Sequence, residues 1–324
     1  MKAFRFTDIS KGLELRDIPI PTPGKGQVLV QVKATGLCHT DCNVLSGKDD
    51  LLFWKRPITL GHEIAGIIVD LGPDVTCFNI GERVVSGVGT SHPITIEDVT
   101  TSAGIGYDGG HAEFAVFNAV KTLRIPDGAT FAHAAVATDA VATAYHAVVA
   151  EGQATSSSTI AIVGLGGLGL SGVSIASFMG AKVYGVDVNP KKYPVALHSG
   201  ALTCAKSLEY FSGIRFDAVV DFAGAGFTTA AAVKALKPGG RIVLVGLAAK
   251  EATLSTYDFV AQGVTLKGSA GSSLNEVETV LGLIAKGMIV PLTEEISFAN
   301  IPDGLDRLAK GDVLGRLYAD PSNF

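Results

Sequence analysis

Three glycines, Gly164, Gly166 and Gly169, and an acid, Asp187, are the residues whose types and spacing speak most directly of chemistry. The glycines belong to the stretch Ala161-Ile162-Val163-Gly164-Leu165-Gly166-Gly167-Leu168-Gly169. An apolar run from Thr159 to Val163 reads as a buried parallel strand, and a helical pattern then runs to about Met179. A second strand, Lys182 to Val186, ends at Asp187, about 18 residues beyond Gly169. The first glycine permits a tight turn, the second lets the backbone approach a pyrophosphate, and the third lets helix and strand pack closely. Phosphate would sit at the positive helix N-terminus, against the main chain of Gly164, Leu165, Gly166, Gly167, Leu168 and Gly169. Asp187 would accept hydrogen bonds from an adenosine ribose and repel an added 2′-phosphate, so the expected cofactor is NAD rather than NADP. Glycine-rich turns without a ligand are common, but such a turn does not explain why an acid ends the second strand.

Two further motifs carry reactive side chains: Gly36-Leu37-Cys38-His39-Thr40-Asp41 and Gly61-His62-Glu63-Ile64-Ala65-Gly66. Singly, each has an ordinary reading, since a lone cysteine is usually a small buried hydrophobe and His-Glu usually lies on a surface. Asp139, in Thr138-Asp139-Ala140 at the start of an alanine-rich helical stretch, is a third candidate, and its ordinary reading is a helix cap.

The elements that must position these residues fall into two groups. Up to about residue 130 the chain is rich in short β patterns, among them Gln27 to Val32, Ile67 to Val69, Arg83 to Val85 and Phe114 to Val116, with glycine and proline between them. That is an irregular, partly closed β domain. From about Ala132 the pattern changes to an alanine-rich helix, Ala134 to Val149, followed by alternating strands and helices. Asp217 to Asp221, Arg241 to Val245 and Val264 to Lys267 read as strands, and Thr228 to Lys237 as a helix, giving an α/β, doubly wound parallel sheet. After Gly271 come helices at about Asn275 to Lys286 and Gly304 to Lys310 and a strand at Leu314 to Tyr318. A tail that returns after the wound sheet most simply completes the first domain, which makes the cofactor domain an insertion.

Composition bounds the rest. The chain has 324 residues, enough for two domains, with 47% hydrophobic and 18% charged residues and 39 glycines. Its net charge of −5 and the lack of a basic cluster argue against nucleic acid, and no apolar run is long enough to span a membrane. The first residues, Met1 to Phe6, alternate like a strand and are too polar for a signal peptide. Four irregularly spaced cysteines, Cys38, Cys42, Cys77 and Cys204, do not make a disulfide framework. They point to a reducing, cytoplasmic setting.

Taken in order, G-x-C-x-T-D, G-H-E-x-x-G, G-x-G-x-x-G and the acid after it resemble the zinc-dependent medium-chain dehydrogenase/reductase (alcohol dehydrogenase) superfamily, over nearly the full length. The resemblance implies a GroES-like catalytic domain formed by residues 1–140 and 271–324, and a Rossmann NAD-binding domain over 141–270. It implies a catalytic zinc held by Cys38, His62 and Asp139, with the fourth position open to substrate. It casts Glu63 as a residue that approaches the metal or pairs with Arg316, and Asp41 as the acid that orients His62. The plainer alternative for both acids is a buried structural ion pair. It casts Thr40 as the hydroxyl that takes the substrate proton. His39 and Arg316 become candidates for the pyrophosphate, Lys192 for the adenosine ribose, and Thr143 and Val245 for the nicotinamide. It further implies a homodimer or homotetramer.

The chain departs from the resemblance in three places. Ser86 to Tyr107 has no cysteine where many relatives carry four that bind a structural zinc, so one zinc is expected. Asn43 stands where some relatives relay the proton through histidine, and Val88 where some place an aromatic. The expected function is hydride transfer between NAD and an alcohol, apolar or bulky and possibly secondary, with Phe53, Trp54 and the 86–107 segment as pocket candidates. The alternatives are a zinc-independent enoyl or quinone reductase of the same superfamily and a non-catalytic NAD-binding protein.

Overall fold

The computed structural model describes residues 1–48 and 55–324, so Phe53 and Trp54 lie outside the described residues. The chain divides into two compact units, Met1–Ala142 with Gly271–Phe324, and Thr143–Ala270. No described helix is long and apolar enough to cross a membrane.

The first unit is built on a seven-stranded sheet. Its strands run in the order Thr293–Ser297, Arg316–Asp320, Gln27–Gly36, Glu63–Leu71, Arg83–Ser86 and Thr122–Arg124, and Phe114–Asn118 also pairs with Gln27–Gly36. A three-stranded sheet, Leu13–Asp17, Lys2–Phe6 and Ile58–Thr59, lies in the same unit. Alternation drives the central strand: Val28, Val30 and Val32 turn into a core with Ile64, Ile68, Phe78, Val84 and Phe117, all removed from water. The last strand pairs antiparallel with the end of the central one, Tyr318 opposite Gly36 and Ala319 opposite Thr35. Residues from the two extremes of the sequence thereby complete one sheet.

The second unit is a six-stranded parallel sheet with strand order Thr203–Ala205, Lys182–Val186, Thr159–Val163, Phe216–Asp221, Leu236–Leu244 and Thr265–Gly268. The order reverses at Thr159–Val163, so the turn that begins at Gly164 sits where open α/β sheets bind ligands, outside the carboxyl ends of the strands. The helix expected over Thr228 to Lys237 spans Phe227–Ala235 instead, and Leu236 already opens the next strand. Pro238 is the reason, because its ring disfavours helical geometry at Lys237 before it. The alanine-rich stretch is helical but not uniformly α: Ala137–Val141 and His146–Glu151 are π-helical. A π turn carries one extra residue per hydrogen-bonded loop, and periodicity alone does not reveal it.

The 86–107 segment is organised by an ion pair. Thr95 caps the short helix Ile96–Thr100, and Asp98 within it accepts hydrogen bonds from both N and Oγ1 of Thr90 and of Thr95. The buried Lys121 ammonium donates to Asp98 O at 2.7 Å and Ser102 Oγ at 3.1 Å, and lies 3.5 Å from Asp98 Oδ1. Burial by itself would raise the Asp98 carboxyl, but the hydrogen bonds from Thr95 and Thr90 and the Lys121 charge bring it down to about 2. A carboxylate depressed below its ordinary 3.8 adds stability above that value and loses it as pH falls through the folded one. Asp98→Ala should therefore cost about 3 kcal/mol at neutral pH by leaving Lys121 buried and unpaired. The gap to wild type should narrow between about pH 4 and pH 2, as read from urea midpoints at stepped pH. A gap that stays constant over that range would show that the carboxylate charge is not what holds the segment.

Candidate functional site

In the first unit the reactive residues are delivered by strand ends. Gln27–Gly36 runs into Cys38, which caps the helix His39–Leu45 from extended geometry. Cys38 N donates to Asp41 Oδ2 at 3.0 Å while Cys38 Sγ accepts from Thr40 N at 3.5 Å. This reciprocal cap draws Asp41 fully out of solvent. Glu63 opens the neighbouring strand directly opposite Gly36, and His62 precedes it. A Cβ on Gly36 would collide with the Glu63 carboxylate, so that glycine makes room for an acid laid across the strand. Arg316 opens the last strand, and Asp139 sits on the π turn Ala137–Val141.

These residues meet. Cys38 Sγ lies 3.3 Å and His62 Nε2 3.5 Å from the same oxygen, Asp139 Oδ2. One ligand atom from each of the three lies within 4.8 Å of those of the other two. An N–H···O bond is usually 2.7–3.2 Å, so about 3.5 Å is long for one. A tetrahedral metal with bonds of about 2.3 Å to sulfur and 2.0–2.1 Å to nitrogen or oxygen spaces its ligand atoms by about 3.3–3.6 Å. Both distances to Asp139 Oδ2 therefore match the ligand spacing of a zinc-like ion, and the imidazole–carboxylate one matches it better than it matches a hydrogen bond. Thr40 Oγ1 lies 3.4 Å from Cys38 Sγ, and Asp41 Oδ1 lies 3.7 Å from His62 Nδ1.

Charge is dense here. Arg316 donates from Nε to both Glu63 oxygens, at 3.2 and 3.0 Å, and from Nη2 to Glu63 Oε1 at 2.6 Å and Asp139 Oδ2 at 3.1 Å. Glu63 Oε1 also accepts from Ala140 N at 3.1 Å. Burial alone would lower the proton affinity of the His62 ring, but Asp139 and Asp41 on its two sides raise it well above the ordinary value. Burial would raise the Asp139 carboxyl, and His62 and Arg316 hold it well below the usual range. The arrangement favours a cation at His62 Nε2, whether a proton or a metal.

The second unit gathers the other sequence candidates. Gly166 caps the helix Gly167–Phe178, and Gly164 takes a positive φ of 87°. A Cβ on Gly169 would strike Gly164 O, whereas one on Gly166 would meet no protein atom within 4 Å. The second glycine thus faces open space. Asp187 Oδ2 accepts from Leu165 N at 2.7 Å and from Lys192 Nζ at 3.0 Å, and Oδ1 accepts from Asn189 N at 2.8 Å. Lys192 is therefore not a solvated surface lysine. Val245, half-buried, donates its N–H to Asp221 O at 3.0 Å, Thr143 is buried, Leu168 is half-buried, and His39 is exposed in the first unit. Sequence reading passed over Asp221, a fully buried acid that accepts from Ala223 N, Gly224 N, Thr228 Oγ1 and Thr229 Oγ1 and so shapes the loop after its strand. Its position, an acid closing a strand like Asp187, was the available signal.

Residues 24–127 match the family described as alcohol dehydrogenase GroES-like domain, and residues 167–286 the family described as zinc-binding dehydrogenase. An alcohol dehydrogenase from Geobacillus stearothermophilus is 32% identical, covering 98% of each chain. An NAD-dependent alcohol dehydrogenase from Sulfurisphaera tokodaii is 30% identical, covering 99% of this chain and 100% of that one. The solved structure of acetophenone reductase from Geotrichum candidum in complex with NAD superposes with a TM-score of 0.89 at 30% identity, covering 98% of this chain and 96% of that one.

The Arg316 network has a measurable weight. Arg316→Met should cost about 3–5 kcal/mol, because Glu63 and Asp139 lose their shared counter-ion inside the unit. Arg316→Lys should recover only part, since a point charge does not reproduce the two-pronged contact. Urea midpoints test this, and a Met variant within about 1 kcal/mol of wild type would show that the cluster contributes little to stability.

Proposed function

This chain belongs to the zinc-type medium-chain dehydrogenase/reductase (alcohol dehydrogenase) superfamily, and from that premise we propose that it interconverts an alcohol and its carbonyl compound with NAD as redox partner. One zinc ion is held by Cys38, His62 and Asp139. The observation that carries this reading is the meeting of a thiol, an imidazole and a carboxylate, distant in sequence, with the thiol and the imidazole each at tetrahedral ligand spacing from the carboxylate. The unit Met1–Ala142 with Gly271–Phe324 serves as the catalytic domain and Thr143–Ala270 as the NAD-binding domain.

When bound, zinc supplies Lewis acidity that weakens a substrate O–H bond, and NAD supplies the hydride acceptor. The chain's own residues do the rest. Thr40 accepts the substrate's hydroxyl proton at Oγ1 and passes it outward; Asn43 does not titrate, so water or another group takes the next step. Asp41 receives His62 Nδ1–H and leaves Nε2 for the metal. Glu63, with Arg316 as its counter-ion, sets the field beside the ligands and can exchange with them. The main chain from Gly164 to Gly169 receives pyrophosphate, for which His39 stays a candidate contact. Arg316 is better suited to the Glu63 pairing, where most of its hydrogen bonds go. Asp187, with Lys192 beside it, takes the adenosine ribose, and Thr143 and Val245 flank the nicotinamide.

A relative named for reducing acetophenone supports an apolar, bulky substrate, with secondary alcohols included. A homodimer or homotetramer in a cytoplasmic setting completes the reading.

Two experiments test it. Cys38→Ala should remove the bound metal and lower turnover by more than the roughly 100-fold that loss of an outer-shell partner costs, with NAD binding retained. Full activity in that variant would favour the zinc-independent reductase reading. Asp187→Asn keeps one acceptor oxygen and removes the charge, so NAD preference over NADP should fall about tenfold, or about 1.4 kcal/mol. A wild-type protein that already prefers NADP would overturn the role given to Asp187.

A further inference from the structure

Neither sequence motif contains His111, and the proposed reaction does not use it. It lies in the Gly109-Gly110-His111 turn ahead of the strand Phe114–Asn118 and is fully buried. Its backbone is pinned beside the metal motif: His111 N donates to Leu60 O at 3.0 Å, and Phe4 N donates to His111 O at 2.8 Å. Its ring rests on Gly61, the residue before His62. A Cβ at Gly61 would collide with that ring, and Gly61 also holds a φ of +88°.

The two ends of the ring have separate partners. Nδ1 lies 3.0 Å from Thr35 Oγ1, and Nε2 lies 3.7 Å from Asp41 Oδ2. Asp41 in turn presents Oδ1 to His62 Nδ1 at 3.7 Å. Asp41 Oδ1, His62 Nδ1 and His111 Nε2 are all buried and have no hydrogen-bond partner among the described residues. His62 Nδ1 faces one oxygen of the Asp41 carboxylate and His111 Nε2 the other.

One assignment of protons sets a donor against an acceptor at every approach, the two to Asp41 being 3.7 Å long. The Thr35 hydroxyl donates to His111 Nδ1, so His111 carries its proton on Nε2 and turns it toward Asp41 Oδ2. Asp41 Oδ2 also receives Cys38 N–H, which leaves Oδ1 for His62 Nδ1–H. His62 Nε2 then presents a lone pair toward Cys38 and Asp139. Cys38 N alone would fix one oxygen of Asp41 and leave the carboxylate free to turn about its terminal bond, a broad torsion. A second donor on the same oxygen sets the plane.

We propose that His111 is a positioning residue for the metal centre: with Thr35 behind it, it fixes the Asp41 carboxylate, and through Asp41 the orientation and tautomer of His62. This rests on the reading of Cys38, His62 and Asp139 as metal ligands. His111 touches neither metal nor substrate.

The test is metal binding rather than turnover. Full-length wild type, His111→Phe and His111→Gln are compared for Zn2+ affinity by competition with a colorimetric chelator and for the visible spectrum of the Co2+-loaded protein, with NAD binding as the control for folding. His111→Phe should bind Zn2+ about tenfold or more weakly and shift the Co2+ bands, with NAD binding unchanged. His111→Gln, whose amide nitrogen reaches the place of Nε2, should restore most of the affinity and the wild-type spectrum. A Phe variant with wild-type affinity and spectrum would overturn the role of His111. So would equal loosening in Phe and Gln, which would make ring packing the cause.

If His111→Phe does not fold, Thr35→Val keeps the ring and removes the hydroxyl that sets its tautomer. It should weaken Zn2+ in the same direction, and unchanged affinity would overturn the proposal. A wild-type protein whose Co2+ spectrum lacks a thiolate band, or keeps it in Cys38→Ala, would overturn the metal reading and the role of His111 with it. Sound wild-type binding with an indifferent His111→Phe overturns the role of His111 alone.

Discussion

Negative charge taken out of water must be met by positive charge, and the first unit is arranged around that requirement. Asp41, Glu63 and Asp139 converge with the Cys38 thiol at one end of a sheet, and Arg316, His62 and, beside Asp41, His111 face them as cationic or potentially cationic groups. Arg316 neutralises Glu63 and shares in Asp139. What is left over, a carboxylate with an imidazole and a thiol 3.3–3.5 Å from it, is a donor set that gains most from a divalent cation. The charge deficit and the ligand geometry thus call for the same thing.

Strand register is what brings these groups together. Gly36 and Glu63 face each other across one ladder, and Gly36 and Tyr318 across the next, which puts Cys38, His62 and Arg316 near one end of the same sheet. A one-residue slip would turn Glu63 to the opposite face, since side chains alternate. The core of Val28, Val30, Val32, Ile64 and Ile68 prevents that slip, because it would move those apolar side chains into water. Packing far from the chemistry therefore sets its precision.

Glycine does different work in the two units. In the second, Gly164 turns the chain, Gly169 admits the neighbouring backbone, and Gly166 faces open space. In the first, Gly36 makes room for Glu63 and Gly61 for the His111 ring. The sequence marks all of them alike, and only what each one admits tells them apart.

Much of the fold and of the site was legible before any coordinate. The turn at Gly164 to Gly169, the acid at Asp187 and the strands around them are local patterns, because turn chemistry and side-chain alternation act over a few residues. The motifs at Cys38 and His62 were legible as motifs, and family resemblance joined them to Asp139 and Arg316. His111, the Lys121–Asp98 pair, the π turn that carries Asp139 and the hydrogen bonds of Asp221 were not, although the acid ending that strand was in view. They depend on which distant side chains share a desolvated space, and periodicity does not encode that. The sequence by itself determined the β-rich and the wound-sheet segments, the glycine turn and the identity of the reactive groups. Tertiary structure alone decided which buried polar atoms face one another, because the cost of an unpaired charge is set by neighbours that lie far apart along the chain.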